Sequence, residues 1–344
     1  MKKATLNATT QTSPAGAETM KAIVQGEYGA APEDVLRLAE IDRPTIGPGE
    51  VLLRVRAASV DRGTWHLMTG LPNLMRIMGF GFRRPKAPNP GRSVAGIVEA
   101  VGTDVTGFEP GDEVYGAGEG SFAQFARARA GRIARKPADL SFEQAAAVPI
   151  SGMTALQAVR DGARVQAGQR VLVIGASGGV GSFAVQIAKG FGAEVTGVCS
   201  ARKVELVRAL GADHVLDYAC DDFAAGGHRY DAIIDTGGNS RLARLRRALT
   251  PGGRLVIVGG ETGGRWLGGF DRQLRATLLS PLVSQKLGML AASENSADLS
   301  VLRELLEAGT VRPAVDRTYP LGEAAAAIRY FQEGHARGKV VITV

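Results

Sequence analysis

Residues 169–203 form the stretch that most constrains the fold of this 344-residue chain. Val171 to Ile174 are consecutive apolar and mostly β-branched residues, which is typical of a parallel strand buried on both faces. From Phe183 to Ala188 the apolar residues change to helical spacing, and a glycine-rich turn lies between the two segments. A strand, a tight turn and a helix bring unpaired backbone N–H groups and the positive end of a helix dipole to one point. This arrangement favours a pyrophosphate, so the sequence predicts a dinucleotide ligand.

The turn at 175–181 matches the dinucleotide fingerprint imperfectly. Gly178 and Gly181 occupy the second and third glycine positions, which let the backbone approach the phosphates and let the helix pack on the strand, but Ala176 stands at the first. A second strand, Val195 to Cys199, follows a break at Gly192, as a strand-helix-strand unit requires. The alternative is an ordinary glycine-rich turn of another doubly wound protein. The turn residues expected to contact the cofactor are Ser177, Gly178, Gly179, Val180 and Gly181.

The end of the second strand indicates which dinucleotide binds. An acidic side chain at this position hydrogen-bonds the ribose hydroxyls of NAD and repels the 2′-phosphate of NADP. Here Ser200 offers a hydroxyl, Arg202 and Lys203 offer cations, and there is no acid. We therefore expect NADP(H). The alternative is that both cations are solvated charges at the start of the next helix.

Composition limits the class of protein. A chain of this length with 45% hydrophobic and 22% charged residues is typical of a soluble globular protein of two domains. No apolar run approaches the roughly 20 residues that span a bilayer, and the N-terminus lacks the apolar core of a signal peptide, so we expect a cytoplasmic protein with no membrane partner. The net charge is +7, but the basic residues are dispersed without interleaved aromatics, so we expect no nucleic-acid partner. Two cysteines can build neither a disulfide framework nor a four-cysteine zinc site.

The pattern of elements divides the chain into regions. Residues 1–19 lack apolar periodicity and are predicted to be a disordered tail. From 20 to about 136, short strands broken by Gly and Pro indicate a mainly β region. Ser141 and Gln144 predict a capping-box helix start, after which strands and helices alternate. The later predicted helices cover 203–210, 240–249, 297–307 and 322–333, and the later strands cover 214–218, 230–235, 254–258, 285–291 and 339–344.

Four segments together carry a family resemblance. They are Ala-Ser-Val-Asp-Arg-Gly-Thr-Trp-His at 58–66, the segment 91–114 ending in Pro-Gly-Asp-Glu-Val, Val-Pro-Ile-Ser-Gly-Met-Thr-Ala at 148–155, and the glycine turn. From Met20 onward the chain resembles the medium-chain dehydrogenase/reductase superfamily, and within it the zinc-free quinone oxidoreductase-like branch. The resemblance implies an α/β fold with a GroES-like β domain at 20–149, to which 311–344 return, and a Rossmann domain with a doubly wound parallel sheet at 150–310. The cleft between the domains would be the active site.

The resemblance also implies site residues. Zinc-dependent relatives carry Gly-His-Glu where this chain has Gly-Arg-Ser at 91–93, and a ligand cysteine near Asp61, so we expect no metal. Many zinc-free relatives have Asn at 61 and Asp at 64 and at 93, so the polar groups of this site differ from the common ones. Catalytic roles are implied for Asp61, Thr64 and His66, with His66 either a proton donor or a packing residue beside Trp65. Further expected cofactor contacts are Thr154, Tyr218, Gly259 and Lys339.

The function implied is an NADPH-dependent reductase that delivers hydride to an electron-poor carbon of a quinone or an α,β-unsaturated ketone. One alternative is a zinc-free carbonyl reductase or alcohol dehydrogenase of the same fold. The other is a non-catalytic NADPH-binding protein. Family analogy also implies a homodimer in which two Rossmann sheets pair edge to edge through the strand near 285–291.

Overall fold

A computed structural model describes residues 18–238, 240–259 and 264–344. Most of the predicted tail, up to residue 17, lies outside the described residues, whereas Thr19 already belongs to the first strand. Within the described ranges, no helix combines the length and the apolar character needed to cross a bilayer.

Seven strands and three short helices form the first half of the chain. The strands are β1 (Thr19–Gln25), β2 (Leu36–Asp42), β3 (Glu50–Val60), β4 (Ser93–Val101), β5 (Glu113–Ala117), β6 (Phe125–Arg129) and β7 (Ile133–Arg135). The helices are α1 (Pro32–Val35), α2 (Arg62–Thr69) and α3 (Asn73–Met75), the last continued by a π-helical turn at Arg76–Phe80. The long strand β3 organises this region, because its first half pairs with β6 and its whole length pairs with β4, both antiparallel.

The middle of the chain alternates strands and helices. Its strands are β8 (Arg170–Ile174), β9 (Glu194–Cys199), β10 (His214–Asp217), β11 (Tyr230–Asp235), β12 (Leu249–Ile257) and β13 (Lys286–Met289). Its helices are α4 (Phe142–Ala147), α5 (Pro149–Gln157), α6 (Gly179–Gly190), α7 (Val204–Ala209), α8 (Leu242–Ala248), α9 (Phe270–Leu279) and α10 (Ser296–Glu307). The six strands are parallel in the order β10-β9-β8-β11-β12-β13. Numbered from the first strand of the sheet, this is 3-2-1-4-5-6, the order of a doubly wound dinucleotide-binding sheet.

The C-terminal segment joins the sheet of the first region. Strand β14 (Val315–Pro320), helix α11 (Ala324–Gln332) and strand β15 (Lys339–Thr343) follow one another. Strand β15 pairs with the second half of β3, from Ala57 to Val60, and with β14. The sheet therefore runs β14-β15-β3-β4-β5-β7, with β6 also on β3. The predicted fold class, a GroES-like β domain plus a Rossmann-type α/β domain, is confirmed.

Two predicted helices are present, and their ends differ from the predicted bounds by a few residues. The helix predicted at 240–249 is α8, which ends at Ala248, and the strand predicted at 254–258 begins earlier, so β12 is continuous from Leu249. The reason is tertiary pairing, since Leu249 already pairs with Tyr230 and the register shifts before Arg254 pairs with Ala232. The helix predicted at 203–210 begins instead with a 3-10 turn, Ala201–Lys203, that precedes α7.

One apolar cluster holds the two sheets together. It includes Tyr115 of β5, Leu156 of α5, Phe183 of α6, Leu302 of α10 and Val341 of β15, all buried. The phenol of Tyr115 donates to the carbonyl oxygen of Leu299 at 2.7 Å, which ties β5 to α10. The cleft between the sheets is therefore closed at its base by packed side chains.

Candidate cofactor and active site

The glycine turn between β8 and α6 has a geometric reason for each glycine. Gly175 has a φ of +81°, a region that side chains rarely adopt. Gly178 is the N-cap of α6. A Cβ at Gly181 would overlap the carbonyl oxygen of Gly175 and lie 2.9 Å from Cα of Ala176. Gly175 thus does the turning expected of the first fingerprint glycine, one residue before Ala176, and the open N-terminus of α6 fits an anionic pyrophosphate.

A further glycine, Gly179, leaves space in front of two polar side chains. A Cβ there would lie 3.1 Å from both the Ser151 hydroxyl oxygen and Cδ of Lys339. Val180 follows it in the first turn of α6 and is half-buried, and Ser177, just before the helix, is buried. The space in front of Gly179 is therefore bordered by the turn, the start of α6 and the Ser151 and Lys339 side chains.

Two adjoining cavities lie at the carboxyl ends of β8, β9 and β11, which is where doubly wound sheets bind ligands. The smaller has a volume of about 370 Å³ and the larger of about 690 Å³. Ser200, Lys203 and Tyr218 line both, and Ser177 lines the smaller one. With Arg202, which lines the larger cavity, the structure therefore brings together five of the residues predicted to contact the cofactor.

The larger cavity is cationic. Arg202, Lys203, Arg317 and Arg337 line it, together with the carboxylates Asp217 and Asp316 and with His335. Arg317 and Arg337 belong to the C-terminal segment, and sequence reasoning missed both because nothing in the sequence places them beside Arg202.

Lys203 does not have the free ammonium that the sequence suggested. Its Nζ donates to the carbonyl oxygens of Gly334 at 2.9 Å and Ala336 at 2.6 Å. Burial lowers the pKa of Lys203. These bonds fix the turn that carries Arg337, whereas the Arg202 and Arg337 side chains are exposed at the cavity.

Lys339 is the most unusual side chain of the site. It is 2% exposed, and its Nζ donates to the carbonyl oxygen of Val60 at 2.9 Å and to the Ser151 hydroxyl at 3.2 Å. Burial lowers the pKa of Lys339 to about 8, and the nearby charge of Asp61 acts against that change. Lys339 of β15 thus places a titratable ammonium beside the glycine turn. Its partner Ser151 is a residue that sequence reasoning missed.

Asp61 and Thr64 are brought together at the start of α2. Asp61 is the N-cap, and its Oδ1 accepts from the backbone N–H of Thr64 at 2.9 Å and from the Thr64 hydroxyl at 3.2 Å. Its Oδ2 is buried without a hydrogen-bond partner among the described residues. Thr64 is fully buried. Both residues therefore stabilise the helix start, and Oδ2 of Asp61 is an acceptor oxygen that this hydrogen bonding does not use.

His66 is half-buried one turn further along α2. Its Nδ1 contacts the carbonyl oxygen of Leu71 at 2.7 Å, so Nδ1 carries the proton and the neutral ring has its lone pair on Nε2. Burial lowers the pKa of His66, only partly offset by the bond to Leu71. The Trp65 ring lies 5.0 Å away in an edge arrangement.

The remaining predicted contacts are separate from these groups. Thr154 donates its hydroxyl to the carbonyl oxygen of Ile150, one turn back on its own helix. The Gly259 carbonyl oxygen accepts from Arg272, whose guanidinium also pairs at 2.6 Å with the fully buried Asp235. This ion pair, which sequence reasoning missed, fixes the segments after β11 and β12.

Arg92 and Ser93, at the positions where zinc-dependent relatives carry zinc ligands, make an ion pair and a hydrogen bond instead. Arg92 pairs with Glu294 at 2.7 Å, and the Ser93 hydroxyl accepts from the backbone N–H of Ile150 at 3.4 Å. Among the described residues, no three His, Cys, Asp or Glu side chains are grouped so that they could hold a metal ion. Cys199 is buried, which raises the pKa of its thiol to about 11 and keeps it protonated.

Comparison with known proteins agrees with this architecture. Residues 47–138 match the family described as alcohol dehydrogenase GroES-like domain, and residues 210–342 match the family described as zinc-binding dehydrogenase. The chain is 31% identical over 342 residues to the chloroplast envelope quinone oxidoreductase homolog of Arabidopsis thaliana, covering 94% of this chain and 98% of the relative. It is 33% identical over 371 residues to the mitochondrial NAD(P)H oxidoreductase RTN4IP1 of Mus musculus, covering 97% and 91%. The solved quinone oxidoreductase from Coxiella burnetii matches with a TM-score of 0.80 at 30% identity, covering 95% and 100%.

The two sheets, the glycine turn and these matches define a medium-chain dehydrogenase/reductase. The chain belongs to that superfamily and, within it, to the quinone oxidoreductase-like branch. The predicted family is confirmed. It is an oxidoreductase, as predicted.

Proposed function

We propose that this oxidoreductase uses NADPH without zinc to reduce a quinone or an α,β-unsaturated ketone. The observation that carries the proposal is the cationic cavity at the end of β9, where exposed Arg202 and Arg337 stand and the strand is followed by no acid. A 2′-phosphate binds best where guanidinium groups can donate paired hydrogen bonds. The name of the mouse relative, NAD(P)H oxidoreductase, leaves both nicotinamide cofactors possible, so the cationic cavity is what supports the choice of NADPH.

When bound, the cofactor supplies the hydride. The chain would hold its pyrophosphate at the turn from Ser177 to Gly181 and at the start of α6. Lys339 would add positive charge at Gly179, and Tyr218 and Ser200 would flank the adenosine end. Thr154 stays a predicted contact of the nicotinamide end, and Gly259 a predicted contact of the cofactor.

Asp61 and His66 would act on the substrate that accepts the hydride. Reduction of a conjugated carbonyl leaves an oxyanion that must be stabilised or protonated. Because the pKa of His66 is lowered and its Nδ1 donates to Leu71, the ring is mostly neutral near pH 7 and has a lone pair, not a proton, on Nε2. His66 would therefore relay a proton that it first receives from water. Thr64 would act only through Asp61.

Affinity measurements test the cofactor choice. NADPH should bind more tightly than NADH, and Arg202→Ala or Arg337→Ala should each reduce the difference by about one to two decades, since a charge-assisted hydrogen bond contributes roughly 1.5 to 3 kcal/mol. The exposed Arg208→Ala, on α7 outside both cavities, is the matched control. Equal affinities of the unaltered protein for NADPH and NADH would refute the proposal.

Product analysis separates the proposal from its alternatives. A saturated ketone from an enone means C=C reduction, whereas an allylic alcohol means that the chain is a carbonyl reductase. NADPH binding without turnover of any acceptor would favour a non-catalytic role. The name of the Arabidopsis relative, a quinone oxidoreductase homolog, makes a quinone the first acceptor to assay.

Two further expectations belong with this proposal. Strand β13 lies at the free edge of the parallel sheet, within the segment predicted to pair in a homodimer, and light scattering would show whether the chain is a dimer. A cytoplasmic location stays a prediction, which microscopy of the tagged protein would test.

A further inference from the structure

Two loops, one from each domain, meet at one edge of the molecule and expose large apolar side chains there. Between 41% and 72% of each side chain is exposed to solvent. The backbone N–H groups of Asn73 and Leu74 donate to the carbonyl oxygens of Arg265 and Trp266 at 2.8 and 3.2 Å, so the loops adjoin. We call this surface the apolar rim, and its members are Ile77, Met78, Phe80, Phe82, Trp266 and Leu267.

Hydrogen bonds from Tyr28 and Arg76 fix the backbone that carries part of the rim. The Tyr28 phenol donates to the carbonyl oxygens of Phe80 and Gly81 at 3.0 and 2.8 Å. Arg76 lies over the Tyr28 ring and donates to the Gly70 carbonyl oxygen at 2.8 Å. The backbone is fixed in this way, and the apolar side chains that it carries are exposed to solvent. Contiguous exposed apolar surface of this kind marks an interaction site.

The charges around the rim select the kind of partner. Arg83, Arg84, Lys86 and Arg265 are all exposed beside it. Neither 70–90 nor 264–269 contains an Asp or a Glu. Aromatic and aliphatic side chains bordered by these cations match the boundary between the headgroups and the acyl chains of an anionic bilayer.

We propose that the apolar rim is a peripheral docking surface for an anionic lipid bilayer. The proposal replaces our sequence-based expectation of no membrane partner, which considered only spanning segments. One segment follows α2, and the other follows β12 of the parallel sheet. Binding to lipid does not depend on which acceptor is reduced.

Vesicle sedimentation of the full chain tests the charge. The protein should sediment with phosphatidylcholine vesicles that contain phosphatidylserine, less with phosphatidylcholine alone, and less as salt rises. A variant with Arg83→Gln, Arg84→Gln and Lys86→Gln should bind about a hundredfold more weakly, since each cation near an anionic surface contributes about fivefold. A second triple variant removes the same charge elsewhere, through Arg208→Gln, Arg247→Gln and Arg303→Gln. Equal weakening in both triple variants, or no binding at low salt, would overturn the proposal.

Trp266 provides a direct report of insertion. The chain contains two tryptophans, so Trp65→Phe leaves Trp266 as the sole indole. Its emission should shift to shorter wavelength on vesicles containing phosphatidylserine and should be quenched when the acyl chains are brominated. Sedimentation without either change would mean that the rim stays in water, and the proposal would then fail.

A final pair of variants separates lipid from a second copy of the chain. Phe82→Ser should weaken vesicle binding about tenfold, because it removes a large apolar group that would enter the interface. Leu38→Ser alters an exposed apolar side chain away from the rim and should have no effect. If Phe82→Ser instead lowers the oligomeric state in light scattering and leaves vesicle binding unchanged, the rim is a contact between copies and the proposal is wrong.

Discussion

The burial of Lys339 predicts a pH-dependent gain in stability that Lys339→Met should remove. The pKa of Lys339 is lowered from an ordinary 10.5 to about 8 in the fold. Below pH 8 both the folded and the unfolded chain carry the ammonium, and the fold bears the full cost of burying it. Above pH 10.5 both are neutral and this cost is absent. The unfolded chain holds the extra proton in between, so stability rises with pH across that window.

The magnitude follows from the same two values. At about 1.36 kcal/mol for each pH unit, the difference between 10.5 and about 8 corresponds to roughly 3 kcal/mol. Methionine has a similar length and no charge, so Lys339→Met should lack this gain. Urea unfolding of the cofactor-free chain at pH 7 and pH 10 measures it, as the stability difference between the unaltered chain and the variant. The exposed Lys286→Met is the matched control. A difference that is the same at both pH values would refute the reasoning.

Three further predictions test the rest of the site. Gly181→Ala should weaken NADPH binding in titrations and lower stability by about 1 to 3 kcal/mol in unfolding assays, because its Cβ would overlap the Gly175 carbonyl oxygen. The control Gly131→Ala has nothing within 4 Å of the added Cβ and should change neither the affinity nor the stability. His66→Gln should lower enone turnover by roughly 10²-fold at a pH below the lowered pKa of the ring, and quinone turnover less. The effect should fade as pH rises because the ring becomes neutral, and a constant effect across the pH profile would contradict a proton relay. Exhaustive chelation should leave activity unchanged, since the positions of the zinc ligands hold Arg92 and Ser93, and activity that is lost with zinc and restored by it would contradict this.

The sequence predicts elements whose own residues determine them. The capping box at Ser141 and Gln144 is present with both of its hydrogen bonds, because all its partners lie within four residues. The parallel strand β8 is equally legible, since apolar β-branched residues fill it. Strand β14 has no such pattern, as its Val-Asp-Arg-Thr-Tyr-Pro sequence is mostly polar. It is a strand because β15 pairs with it, and pairing between segments cannot be seen in either segment alone.

The same limit applies to the site. The sequence correctly places a glycine turn and a cationic end of β9, both of which are local. It cannot show that Lys203 is held by two carbonyl oxygens more than a hundred residues later, or that Arg337 is presented there instead. The family resemblance supplied Lys339 as a cofactor contact, but its burial and its bond to Ser151 depend on how the two domains pack.

Lys339 shows why the cofactor site needs both domains. The residue lies on β15, whose position is fixed by pairing with the second half of β3. Its ammonium reaches from that sheet to Ser151 on α5 and faces Gly179 at the start of α6. The turn between β8 and α6 can offer backbone N–H groups by itself, but the positive charge beside them comes from the last strand of the chain. If the dinucleotide binds as proposed, its binding depends on the β15–β3 pairing, and the C-terminal segment serves the cofactor as well as the β domain.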